Sequence, residues 1–163
     1  MNHQTTSSAF NSPIETGIRA VTVLVAAFPR EFDLQRLVVF DHLVVHTGDI
    51  GGPPSLHPEI PLRAAELLVR RKLVESGLLL MISRGLAERN VSTDGIKYRA
   101  GDLAGTFLSA LRSEYIQKMH VRARWVVEKY AEVDDARIRK IMTETFGQWE
   151  FQAAQRSLGN DRR

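Results

Sequence analysis

Helical-period apolar stretches early in the chain, two short strand-like runs meeting at Asp94-Gly95, and two long amphipathic stretches at the end together predict the fold class. It is mainly α (α+β): a winged helix-turn-helix domain with an N-terminal helical pair and long C-terminal amphipathic helices. The 163 residues are 44% hydrophobic, enough to bury one core without staples. There is no cysteine, which removes disulfides, zinc-thiolate sites and thiol nucleophiles. Polarity and periodicity divide the chain into a polar, disordered leader over 1–9, a winged-helix-like domain over 10–113, a C-terminal helical arm over 114–157 and a loose tail over 158–163.

Each element has a local reason. Ser12 suits an N-cap, Pro13 the first helical position and Glu15 the capping-box carboxylate. Behind them Ile14, Ile18, Val21, Val25 and Phe28 recur at steps of four and three, so a helix ends before Pro29. Asp33 caps a second helix whose buried face is Leu34, Leu37, Val38, Val44 and Val45, with Gly48 as its stop. After the loop "HTGDIGGPPSLHP", helical spacing resumes through Leu62, Ala65, Leu68 and Val69 in "PLRAAELLVRRK". A further helical stretch, "LVESGLLLMISRG", stops at Gly85. "LAERNV" and "IKYRAG", joined by "STDG", form a hairpin. "DLAGTFLSALRS" is helical again. A long helix follows from Glu114 to about Tyr130, with Tyr115, Met119, Trp125, Val126 and Tyr130 as buried positions. Asp134 or Asp135 restarts a last helix with the stripe Ile138, Ile141, Met142, Phe146 and Trp149.

The loop from His46 to Pro58 carries the densest chemistry. His42 and His46 are four apart on a helix, and Asp49 or His57 offers a third metal ligand. "HLVVH" has the outline of HExxH, but position 43 is leucine where that motif needs a glutamate base. A phosphate loop needs converging N–H groups and a lysine. Gly51-Gly52 is followed instead by Pro53-Pro54, which lack donors, and the stretch contains no lysine. Ser55 and His57 have no nucleophile elbow around them, and Asp134-Asp135 reads as a helix start. These residues predict no catalytic site, no metal and no cofactor. The loop reads as a stiff connector, and the roles of its histidines stay open.

Charge and surface patterning point to macromolecular partners. The formal charge is only +3, so distribution matters more than the sum. In a DNA-binding winged helix, "LVESGLLLMISR" would read bases, and its centre of Leu78, Leu79, Leu80 and Met81 is too apolar for that work. Arg70, Arg71, Lys72, Arg84, Arg89, Lys97 and Arg99 are the candidates for DNA-backbone contact. Trp125, Phe146 and Trp149 are candidates for a partner interface, since a winged helix has little room for two extra amphipathic helices. The N-terminus lacks a signal peptide, and no apolar run reaches the roughly 18 residues that span a bilayer. A cytoplasmic protein with no membrane partner and no small-molecule substrate is expected.

The segments "FNSPIETGIRAVTVL", "FDLQRLVVFDHLVVHTGDIGGPPSLHP", "ELLVRRKLVESGLLLMISRGL" and "GIKYRAGDLAGTFLSAL" resemble the middle component of bacterial three-component ABC-ATPase conflict systems, related to Lamassu-type anti-phage defence. The resemblance spans roughly residues 10–130. It implies a non-catalytic subunit that attaches to an SMC-like ABC ATPase and couples detection of foreign DNA to an effector, often a nuclease. It carries over no catalytic residue. Two other readings are a winged-helix transcription regulator dimerising through its C-terminal helices, and a metal-dependent hydrolase using His42 and His46.

Overall fold

The computed structural model describes residues 12–58 and 64–146, without the side chains of 64–68, 142, 145 and 146. The leader, the tail and Trp149 therefore lie outside the described residues, as do the side chains of Ala65, Leu68, Met142 and Phe146.

The Ser12 hydroxyl accepts a hydrogen bond from the Glu15 amide at 3.3 Å, with Pro13 in the first turn, and starts helix α1 (Pro13–Ala27). The predicted stripe is only partly the buried face. Val21 is inside, whereas Ile14 and Phe28 are exposed. The helix is covered from several sides, so Thr16, Gly17, Arg19, Ala20, Thr22, Val23, Leu24 and Ala27 are buried too. A two-residue strand, β1 (Phe32–Asp33), follows. It is too short to leave a periodic signal and is absent from the sequence expectation. The Asp33 carboxylate then accepts from the Arg36 amide at 2.8 Å and caps α2 (Leu34–Val45).

Helix α2 is buried on every side from Leu37 onward, as expected of a helix that is apolar almost all round. It ends at His46, not at Gly48. A 3-10 turn (Thr47–Ile50) follows, and the residue that takes the left-handed conformation is Gly51, with φ 78°. Gly48 instead gives its amide to the Ser55 hydroxyl at 3.0 Å.

The two helical stretches read on either side of Leu73 are one continuous helix, α3 (Ala64–Ser83). It crosses α1 at a glycine-on-glycine contact. A Cβ on Gly77 would lie 2.6 Å from the Gly17 amide nitrogen and 2.8 Å from the Pro13 carbonyl oxygen. The close approach of two backbones requires the missing side chains. At the end of α3 the Leu86 amide reaches back to the Met81 carbonyl at 2.9 Å, with Gly85 at φ 72°.

Strands β2 (Ala87–Ser92) and β3 (Gly95–Ala100) form the expected hairpin, with Gly95 at φ 112° in its turn. Phe32 pairs with Tyr98 and Asp33 with Lys97, so the antiparallel sheet has the order β1-β3-β2. Helix α4 (Ala104–Ala110) leads to α5 (Glu114–Tyr130) and α6 (Asp135–Phe146). Ser113 caps α5 through the Ile116 amide, and the Asp134 carboxylate accepts from the Arg137 amide at 2.7 Å.

Helix α5 packs on α1 and α2. Met119, Ala123, Val126, Val127 and Tyr130 belong to the same hydrophobic core as Leu24, Phe40, Leu43 and Leu78, and Ile138 of α6 joins it. Arg36 fixes the α5–α6 turn to the start of α2. It donates to the carbonyls of Ala131 (2.9 Å) and Val133 (2.6 Å) and pairs with Asp135 at 2.8 Å. The architecture is mainly helical with a small three-stranded sheet on one side. Among the described residues no helix is long and apolar enough to cross a membrane.

Gly77→Ala should destabilise the fold by about 2 kcal/mol, because overpacking against backbone outweighs the gain of roughly 1 kcal/mol in helix propensity. Urea denaturation read by circular dichroism measures the difference, and an unchanged or raised midpoint would contradict the glycine crossing.

Candidate functional site: a buried polar cluster

Helix α2 is nearly continuous in apolar residues, and Asp41 and His42 interrupt it at its centre. Because α2 is enclosed by its neighbours, both side chains lie inside the protein. Asp41 is met from two other helices. Arg19 of α1 donates through Nε to Oδ1 at 2.7 Å and through Nη2 to Oδ2 at 3.5 Å, and Arg70 of α3 donates through Nη1 to Oδ2 at 2.5 Å. Arg19 and Asp41 are each about 1% exposed, so solvent screening does little to this pair. Burial by itself would push the Asp41 carboxyl up, but the two guanidiniums outweigh it and hold the group below its ordinary value. Burial likewise works against the charge on Arg19, and Asp41, helped by Tyr115, overcomes it.

Three histidines adjoin this cluster. His42 and His46 lie with ring centroids 4.4 Å apart, and His57 meets His46 edge-on at 6.2 Å. His57 stacks beside Tyr115 of α5 and shares with its hydroxyl a hydrogen bond of 2.7 Å. Tyr115 also receives a hydrogen bond from Arg19, which links the loop histidine to the ion cluster. Burial, reinforced by the charge of His46 and Arg70, lowers His42 to about 2. Burial followed by Arg19 and His46 lowers His57 to about 4. Both rings are therefore neutral at pH 7.

The loop that carries His57 lies strapped along α5. Gly52 rests against the Trp125 ring so closely that a Cβ would lie 2.7 Å from the indole. The Arg122 guanidinium, itself buried, donates to the Pro54 carbonyl at 2.8 Å. Thr47 holds the Pro53 carbonyl at 2.7 Å, and the amides of Leu56 and His57 both return to the Val45 carbonyl. The Lys129 ammonium sits 4.7 Å over the Trp125 ring and reaches the Ile50 carbonyl at 3.4 Å. The glycines and prolines thus shape a strap that closes the cluster. Among the described residues no group of three or more His, Asp or Glu is arranged to hold a metal ion.

The basic residues expected to face a nucleic acid do not share one surface. Arg70 is turned inward to Asp41. Arg99 pairs across the hairpin with Glu88 at 2.6 Å. Lys97 lies on that same face and borders a groove with Arg30, Glu31, Asp33, Arg36, Glu132 and Asp135. Arg89 is on the opposite face, where its charge and that of Arg71 bear on Tyr98 together with Glu75. Arg71, Lys72 and Arg84 are exposed. Of the aromatic partner candidates, Trp125 is half-buried beneath the strap, and Phe146 and Trp149 fall outside the described side chains.

Arg19, Asp41, Arg122 and Tyr115 were not expected as a polar network. A signal was present for the first two, each a lone charge set among apolar residues, but the sequence does not show that they meet.

The family model described as ABC-three component (ABC-3C) system Middle Component 2 matches residues 9–152 of the chain. No curated protein and no solved structure matches it.

Asp41→Asn leaves two guanidiniums facing a neutral amide inside the protein and should cost about 3–5 kcal/mol. Arg70→Met, which keeps the Arg19–Asp41 pair, should cost less; equal losses in chemical denaturation would contradict a shared carboxylate. Acid should weaken the fold before the carboxylates titrate. The unfolded chain binds protons at His42 and His57 below about pH 6.5, whereas the folded chain does not until far lower. Their contribution is complete above pH 6.5 and is lost as pH falls, for His57 between 6.5 and about 4. The urea midpoint should drop between pH 7 and pH 5, and a flat profile there would contradict neutral burial.

Proposed function

The chain belongs to the ABC-three component system Middle Component 2 family, and on that footing we propose that it is a non-catalytic accessory subunit of an SMC-like ABC-ATPase defence complex of the Lamassu type. In this role it binds the ATPase and couples detection of foreign DNA to an effector, often a nuclease. The observation that carries the reading is the extent of the family match, which runs through every element from α1 to α6. The placement of the histidines supports an accessory role. His42, His46 and His57, the residues with most catalytic potential, pack against one another, against Tyr115 and beside the Arg19–Asp41 pair, on the inner side of the strap. The scatter of the basic residues favours partner contact over DNA readout, and any nucleic-acid contact is then of the backbone type.

The element order favours a second reading. Helix, short strand, two helices and a hairpin, with sheet order β1-β3-β2, supports a winged-helix reading. A transcription regulator on that scaffold would bind a specific operator. Its reading helix would be α3, but Glu75 lies exposed at the helix centre and would oppose phosphates.

Co-expression of the tagged chain with the ATPase encoded beside it should recover a stable complex, and a chain that elutes alone would overturn the accessory reading. In a salt titration with labelled duplexes, the accessory reading expects weak binding that is indifferent to sequence. Tight binding to one operator would favour the regulator instead.

A further inference from the structure

One side of the β2–β3 hairpin begins in the core and ends in solvent. Side chains alternate across a strand, and directly paired residues share a side. The pairs Ala87–Ala100, Arg89–Tyr98 and Val91–Ile96 therefore lie on one side, which also carries Phe32 of β1 beside Tyr98. Ala87, Ala100, Tyr98 and Phe32 are buried. Two residues further toward the tip, Val91 and Ile96 are 64% and 44% exposed. The strands thus carry their core-facing side past the body that covers it. On the other side of β2 the residues are Glu88, Asn90 and Ser92, so the apolar character keeps to one side up to the turn. Strand propensity alone does not demand this, because threonine is β-branched and suits a solvated strand.

Two exposed arginines flank this overhang, and the acidic groups near it are Glu75 of α3 and Asp94 in the turn. Arg89 lies next to Val91 on the same side, and the charges of Arg89 and of Arg71 from α3 both bear on Tyr98, opposed by Glu75. Arg71 and Arg89 are both exposed, and neither is engaged in an ion pair among the described residues. An occupant must cover an aliphatic pair and bring negative charge to its flank. A DNA duplex would satisfy the arginines and leave Val91 and Ile96 against a polyanion. A second copy stacking tip on tip would cover the aliphatic pair and set arginine near arginine. A protein segment with an apolar anchor between acidic residues satisfies both.

We propose that the hairpin overhang, formed by Val91, Ile96 and Arg89, is the surface on which an acidic, apolar-anchored segment of the ABC ATPase docks. The proposal rests on the accessory-subunit reading and names the surface that reading leaves open.

The test measures affinity of the full chain for the ATPase encoded beside it, with a matched set of variants. Val91→Thr with Ile96→Thr keeps β-branched side chains in the hairpin and removes the aliphatic pair, and should weaken binding about tenfold. Arg89→Glu should weaken it by a similar factor and make the remaining affinity less sensitive to salt. Val121→Asp, at an aliphatic residue of α5 that is 58% exposed, should leave binding unchanged. All four positions are exposed, and circular dichroism verifies that each variant is folded. A wild-type chain that does not bind the ATPase overturns the accessory reading and this proposal together. Wild-type binding that the threonine variant retains in full overturns this proposal alone, as does an equal loss at Val121. A threonine variant that keeps the ATPase but loses affinity for a labelled duplex, or loses self-association in sedimentation equilibrium, would assign the overhang to DNA or to a second copy instead.

Discussion

The carboxylate of Asp41 is shared by guanidiniums from two other helices, and the rest of the structure is arranged around that fact. A charged residue at the centre of a helix enclosed on all sides is tolerable only when opposite charges are brought to it with good geometry. Arg19 and Arg70 can do so only if α1 and α3 lie at a fixed height and rotation on α2. The glycine crossing of α1 and α3 meets the same requirement from the other side, because Gly17 and Gly77 let the two backbones approach until both arginines reach one carboxylate. Apolar burial supplies most of the driving force for this fold, but it is indifferent to small shifts in register. The ion cluster and the glycine contact are the features that make one register far better than its neighbours.

The loop from His46 to Pro58 is a consequence of that interior. A cluster with two arginines, one aspartate and the neutral rings of His42 and His57 needs its open side closed, and it needs hydrogen-bond partners that water would otherwise supply. The strap provides both. Its prolines present carbonyls to Arg122 and Thr47, its glycine lets the Trp125 ring lie close against the backbone, and its last histidine links through Tyr115 to Arg19. Residues that look like an active centre when read in line lie, in space, over the Arg19–Asp41 pair and against α5. Helix α5 is thereby committed to the same body as α1 and α2.

With the interior so occupied, interaction has to come from the surface, and that surface is uneven. One face of the hairpin is neutralised internally by Glu88 with Arg99, and the groove beside it mixes both signs of charge. The opposite face differs in kind. It is continuous with the core at Tyr98 and open to solvent at Val91 and Ile96, with Arg89 paired opposite Tyr98 and next to Val91. For a component of a multi-subunit assembly, an aliphatic pair beside a guanidinium that has no ion pair among the described residues suits a protein partner better than a phosphate backbone does.

The sequence by itself determined what is set within a few residues. The caps at Ser12 and Asp33, and at Asp134 of the two aspartates offered there, are where the short polar side chains predict them, since a cap is a contact over three residues. The hairpin at Asp94-Gly95 follows from turn chemistry of the same range, and the quoted segments carried the family resemblance. Even locally there was a limit, because Gly48 and Gly51 both suit a helix end, and the Ser55 hydroxyl engages the first. Tertiary structure alone decided the rest. It joined the two stretches around Leu73 into one helix, paired Phe32 with the distant Tyr98, and turned Arg70 from a surface cation into a half-buried partner of Asp41. Which charges meet depends on how far helices approach and how they rotate, and that is set by the summed packing of distant residues, which no local window contains.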